Sequence, residues 1–92
     1  MERVTRHLIV TGRVQGVGYR FYAQRKAREL GVTGWVRNRR DGSVEAMVQG
    51  EAGAVETMTA WARQGPPSAV VAGVRVADGE GEYSSFETLP TE

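Results

Sequence analysis

The chain has no cysteine and a single histidine, His7. The first absence excludes disulfides, thiolate zinc sites and thiol nucleophiles. The second leaves no imidazole pair to hold a metal, and no carboxylate cluster with ligand spacing stands near His7. No apolar run approaches the length of a membrane span or of a secretory leader's core. The expectation is a cytoplasmic protein with no membrane contact, no metal and no cofactor.

What is present fits one modest folded unit covering residues 1–92. A chain of this length buries roughly 60–70% of the surface its unfolded form exposes, enough for a core without staples. Hydrophobic residues make up 40% and charged residues 25%, as in ordinary globular domains. The net charge is only +1, but the two parts of the chain differ. Residues 1–40 carry ten Lys/Arg against Glu2 and Glu29, whereas residues 41–92 carry Arg63 and Arg75 against nine acids. A basic segment suits an anionic partner, although basic and acidic elements covering different parts of the surface give the same count.

Hydrophobic periodicity orders the elements. Val4, Leu8, Val10 and Val14 share one side of a period-two pattern, with Thr5, His7, Thr11 and Arg13 on the other, so this is a strand. Ala23, Ala27 and Leu30 recur at helical spacing, and Gly31 stands where a helix end takes a left-handed residue. Val32 to Arg39 reads as a second strand and Val44, Ala46 and Val48 as a third, joined by the hairpin signal Arg40-Asp41-Gly42. Val55, Met58 and Ala62, with Trp61 beside them, give a second helix that Gly65-Pro66-Pro67 closes. Val70, Ala72, Val74 and Val76 alternate as a fourth strand, and Tyr83 to Leu89 could add a short C-terminal fifth. The order βαββαβ predicts an α+β, ferredoxin-like sandwich: a four-stranded antiparallel-type sheet with two helices on one face. That architecture carries many functions and selects none.

Chemistry concentrates in two places. The first is GRVQGVGYR, Gly12 to Arg20, at the junction of the first strand and first helix. It is neither a dinucleotide fingerprint, since Phe21 stands where the last glycine belongs, nor a P-loop, since Gly-Lys-Ser/Thr is missing. A glycine-rich entry to a helix still offers unpaired backbone N–H groups, so the Gln15–Arg20 backbone could form an anion nest. Arg20 would close it with a planar fork matched to phosphate oxygens. A plain glycine turn followed by a solvated arginine is the alternative. The second place is GWVRN, Gly34 to Asn38. Period two sets Asn38 on the side of Val36, opposite Trp35 and Arg37, where an amide must find partners or face a cleft. The βαβ crossover makes strands 1 and 2 parallel, so Arg20 and Asn38 could line one cleft.

These two stretches resemble the signatures of the acylphosphatases. Gly12 to Arg20 looks like the first, and GWVRNRRDGSVEAMVQG, Gly34 to Gly50, looks like the second, with Gly42, Val44 and Gly50 at the expected offsets. The likeness extends over essentially the whole chain, and the tail FETLPTE leaves the pairing of a C-terminal strand open. The resemblance implies hydrolysis of the carboxyl-phosphate bond of small acyl phosphates. It also implies a phosphate-binding loop of Gln15, Gly16, Val17, Gly18, Tyr19 and Arg20, a catalytic Arg20 and a water-positioning Asn38. The chemistry is coherent without acid, base or metal, because an acyl phosphate expels a carboxylate whose conjugate acid has a pKa of about 4. Nothing in the sequence selects the acyl group, so broad acyl tolerance is expected, as is a monomer.

Two other readings compete. A nucleic-acid-binding module would use the basic segment but wants stacking rings on the open sheet face, where strand 1 offers His7 and Ile9 and strand 3 offers Glu45 and Met47. A non-catalytic small-anion-binding module would keep the fold but has no use for both Arg20 and Asn38. Among the remaining residues, His7 is expected on the strand surface, Trp35 packed on the sheet and Trp61 between helix and sheet. Tyr19 and Phe21 are expected to anchor the loop in the core, and Tyr19 could border the acyl group. Arg40 is expected in a solvated hairpin, with Arg37 and Arg39 either beside it or drawing anions to the cleft.

Overall fold

The computed structural model describes residues 2–92. Strand β1 (Arg3–Arg13) leads through the glycine loop into helix α1 (Tyr19–Leu30), and β2 (Thr33–Asn38) and β3 (Val44–Glu51) form a hairpin. Helix α2 (Ala52–Gln64), β4 (Val70–Asp78) and a three-residue β5 (Phe86–Thr88) complete the chain. The strand order is β4-β1-β3-β2-β5. β3 runs antiparallel to both β1 and β2, β4 antiparallel to β1, and β5 parallel to β2. The βαββαβ reading stands, with a fifth strand added at the β2 edge.

Alternation decides the faces. Leu8 and Val10 of β1, Val36 of β2, and Val44 and Val48 of β3 are buried on one side of the sheet. Ala23 and Ala27 of α1 and Val55, Met58 and Ala62 of α2 close over them. Gly31 ends α1 in the left-handed region at φ 73°, and the next residue, Val32, donates its N–H to the Ala27 carbonyl at 2.8 Å. That bond spans the last turn and drops the buried Val32 into the core.

The fourth strand departs from simple alternation. A bulge in its pairing with β1, between Thr11 and Gly12, sets Gly12 against Val71 and Thr11 against Gly73. The extra residue, Ala72, reverses the phase. Val71 and Val74 pack against the core while Val70 is left 65% exposed, so the valines of Val70–Val76 do not share one face.

α2 stops at Gly65 because Pro66 follows. Proline has no N–H to give the Ala62 carbonyl four residues back. The Tyr19 hydroxyl supplies that hydrogen bond at 2.8 Å from within the core. Trp61 packs its ring 5.3 Å from that of Tyr19, so it joins the two helices where a helix-to-sheet contact was expected.

Candidate active site

β1 and β2 point the same way with β3 between them, so the loop leaving β1 and the last residue of β2 meet at one end of the sheet. The loop turns on Gly16 at φ 74° and Gly18 at φ 82°, both in the left-handed region that side chains rarely adopt. Gly18 is also the N-cap of α1, and it has no side chain to satisfy the helix amides. The first turn carries no acid. The first helical bond runs from the Tyr22 N–H to the Gly18 carbonyl at 3.1 Å, so the amides of Tyr19, Arg20 and Phe21 precede it. This helix end combines orphan donors with the positive end of the helix dipole.

A cavity of about 390 Å³ opens there, and Gly16, Gly18, Tyr19, Arg20 and Asn38 all line it. Arg20 is half-buried and forms no ion pair among the described residues. Asn38 ends β2 opposite Val44, on the buried side of the sheet, and reaches the cavity edge. An amide on an apolar face with open space before it is free to bind what enters that space. Among the described residues, no carboxylate and no imidazole lines the cavity.

The side chains of Gln15 and Val17 turn away from the cavity while their backbone stays in the loop. The Gln15 side chain donates to the carbonyls of Arg39, at 2.7 Å, and Ser43, at 2.8 Å. It thereby fastens the glycine loop to the β2–β3 hairpin that carries Asn38. The hairpin is itself held by Asp41, whose carboxylate accepts from the Ser43 N–H at 2.9 Å and hydroxyl at 2.6 Å; these bonds hold Asp41 below the usual carboxylate range. Val17 packs against the core. The buried Tyr19 hydroxyl, bonded to Ala62, has its pKa raised by burial.

Phe21 corrects the expectation that it anchors the loop in the core: it is 62% exposed and lines the cavity beside Arg20. Helical geometry gives the reason. Tyr19, Ala23 and Ala27 hold the buried stripe of α1, and Phe21 falls roughly 200° around from Tyr19. Gln24 and Thr88 also line the cavity and were not singled out from sequence. Gln24 lies four residues after Arg20, a spacing that sets the two on one helix face and could have marked it. Thr88 lies on β5, whose pairing no local pattern fixes.

The remaining candidates lie on the opposite side of the sheet. Arg37 donates to Glu45 at 2.8 Å and reaches Glu92 at 2.9 Å, and its guanidinium lies 4.8 Å over the Trp35 ring. His7 meets the other Glu45 oxygen at 2.6 Å. Burial would raise the Glu45 pKa, but the bonds from His7 and Arg37 together outweigh it and hold the carboxyl below its ordinary value. Arg37 therefore does not enter the cleft, and Arg40 is exposed on the hairpin. Among the described residues no helix is long and apolar enough to cross a membrane.

The family model and the curated relatives that match this chain point to one group. A family model described as acylphosphatase matches residues 6–88. An acylphosphatase of Thiobacillus denitrificans is 58% identical over 83 residues, covering 90% of this chain and 93% of the relative. The structure of an acylphosphatase from Coxiella burnetii superposes with a TM-score of 0.91 at 38% identity, covering 95% of this chain and 93% of that one. That of a Bacillus subtilis acylphosphatase gives 0.89 at 32% identity, covering 94% and 98%.

Proposed function

The chain belongs to the acylphosphatase family and is an acylphosphatase enzyme, and from that premise we propose how its residues divide the work. The Gln15–Arg20 loop holds the phosphoryl group, Arg20 neutralises its charge and Asn38 aims the attacking water. The observation that carries this reading is the convergence of Gly16, Gly18, Arg20 and Asn38, from two separate stretches of sequence, on one cavity.

The reaction follows from those parts. The water oxygen bonds to phosphorus as the bond from phosphorus to the acyl oxygen breaks. The electron pair leaves on the carboxylate, and the protons of the water pass to the phosphate product and the solvent. A carboxylate with a conjugate-acid pKa of about 4 departs without protonation, so no general acid is called for. The loose transition state of phosphoryl transfer asks little nucleophilicity of the water, so positioning it suffices.

Residue types fit these roles. A carboxylate at position 38 would repel an incoming phosphate dianion, whereas the Asn38 carboxamide accepts from water without net charge. Loop and first-turn amides and the Arg20 fork act on charge in a partly water-excluded cleft, where preorganised donors are strongest. Charge on the phosphoryl oxygens is thereby met by protein donors, and the proposed reaction is metal-independent. The Glu45 network on the far face takes no part.

Phosphate release from acetyl phosphate in excess EDTA tests this reading, with wild type beside Arg20→Gln. The account expects wild-type turnover indifferent to EDTA and a loss of roughly 10²–10³ in kcat/KM for the variant. Turnover abolished by EDTA and restored by a divalent cation would contradict the metal-free mechanism.

A further inference from the structure

We propose that Phe21 is a specificity-determining residue: its exposed ring forms a platform for the acyl group beside the phosphoryl site and gives this enzyme a preference for flat aromatic acyl phosphates. The proposal rests on the assignment of Arg20 and the glycine loop to the phosphoryl group.

The cavity is larger than that group requires. Its volume of about 390 Å³ lies within the range of pockets that take whole small-molecule ligands. The loop and Arg20 provide the polar end, and Phe21, Gln24 and Thr88 continue the lining. Phe21 directly follows Arg20, and the acyl carbon is joined to the phosphoryl group through a single bridging oxygen. Because Arg20 and Phe21 line the same cavity, a substituent extending from the acyl group beyond the phosphoryl site has the Phe21 ring as part of its wall.

The ring is held in place. Tyr22 meets Phe21 edge-on, with centroids 5.2 Å apart and planes at 83°. The Tyr22 ring lies against the loop itself, since a Cβ added at Gly18 would stand 3.4 Å from it. The aromatic pair is thus seated on the same glycine that caps α1. Beside it, the Gln24 amide donates to the Phe86 carbonyl at 3.1 Å, which tethers that wall of the cavity to the β5 edge. The absence of carboxylates from the lining also suits a product that leaves as a carboxylate. The core does not use the Phe21 ring, which stays 62% exposed.

An offset or edge-to-face contact between two rings changes affinity by about 3- to 10-fold. This preference is compatible with broad acyl tolerance, because the phosphoryl group remains the common handle.

The test is steady-state hydrolysis of benzoyl phosphate and acetyl phosphate by wild type, Phe21→Ala and Phe21→Tyr. Wild type is expected to show a KM about 3- to 10-fold lower for benzoyl phosphate. Phe21→Ala should erase that preference by raising the KM for benzoyl phosphate more than that for acetyl phosphate, and Phe21→Tyr should restore it. Because the ring is exposed, Phe21→Ala should melt within about 3 °C of wild type. If both substrates turn over but Phe21→Ala changes them alike, or changes neither, the platform is wrong and the phosphoryl site stands. If wild type hydrolyses neither, the phosphoryl-site assignment fails and the platform falls with it.

Discussion

The side-chain amide of Gln15 donates to the backbone carbonyl of Arg39 across 2.7 Å, joining the loop that leaves β1 to the residue just after Asn38. A second bond from the same nitrogen to the Ser43 carbonyl closes the other side of the hairpin. The two halves of the proposed site therefore share one clamp. Gln15→Ala should leave two partly buried carbonyls without that donor and cost about 1–3 kcal/mol in urea denaturation. It should also lower kcat about tenfold, because misplacement of groups by about an ångström is costly in catalysis. A variant with unchanged stability and unchanged kcat would show that the clamp does nothing.

Tyr19→Phe tests how the core supports the loop. The Ala62 carbonyl has no helical donor because Pro66 stands four residues on, and the Tyr19 hydroxyl replaces it at 2.8 Å. Removing the hydroxyl should cost about 1–2 kcal/mol at neutral pH. Burial raises the Tyr19 pKa in the folded chain, so the folded state keeps its proton where the unfolded state loses it. That contribution is complete below the ordinary tyrosine value of about 10 and is lost as pH rises above it. The gap between wild type and Tyr19→Phe should narrow above about pH 10 in thermal melts.

Glu45 governs part of the acid limb. Its folded pKa lies below the unfolded value because the bonds from His7 and Arg37 outweigh the effect of burial. Between the two values the folded state binds fewer protons, so stability falls with falling pH. The contribution is full above about pH 4.3 and vanishes as pH drops through the folded value. Glu45→Gln should therefore be less stable than wild type at pH 7 by about 1–3 kcal/mol. The difference should shrink toward zero in melts taken below the folded pKa. Asp41 adds its own acid dependence in both proteins, so the difference between them is the quantity to follow. Activity of the variant at pH 7 should stay close to wild type, since Glu45 faces away from the cavity.

Much of the fold was legible because its cues are local. Leu8, Val10, Val36 and Val44 alternate as their strands demand, and Gly31 marks the end of α1 by its left-handed backbone. That Arg20 and Asn38 line one cavity was legible because the parallel crossover sets the loop after β1 and the end of β2 at the same end of the sheet. The place of Phe21 is not legible from hydrophobicity alone, because helical phase overrides it: Tyr19, Ala23 and Ala27 already fill the buried stripe. The phase of β4 was misjudged because a bulge depends on the partner strand, where Gly12 comes within reach of Val70 and Ala72. Thr88 and the clamp role of Gln15 are tertiary contacts between residues far apart in sequence, and no window along the chain contains them.

The central claim is that Asn38 positions the attacking water while the loop and Arg20 hold phosphate. The most direct measurement is the kcat of benzoyl phosphate hydrolysis by wild type and Asn38→Ala, with inhibition by inorganic phosphate measured on both proteins by residual turnover or calorimetry. The account predicts a loss of about 10²–10³ in kcat with phosphate affinity within a few fold of wild type. A variant that keeps its kcat, or loses phosphate binding in step with activity, would contradict it.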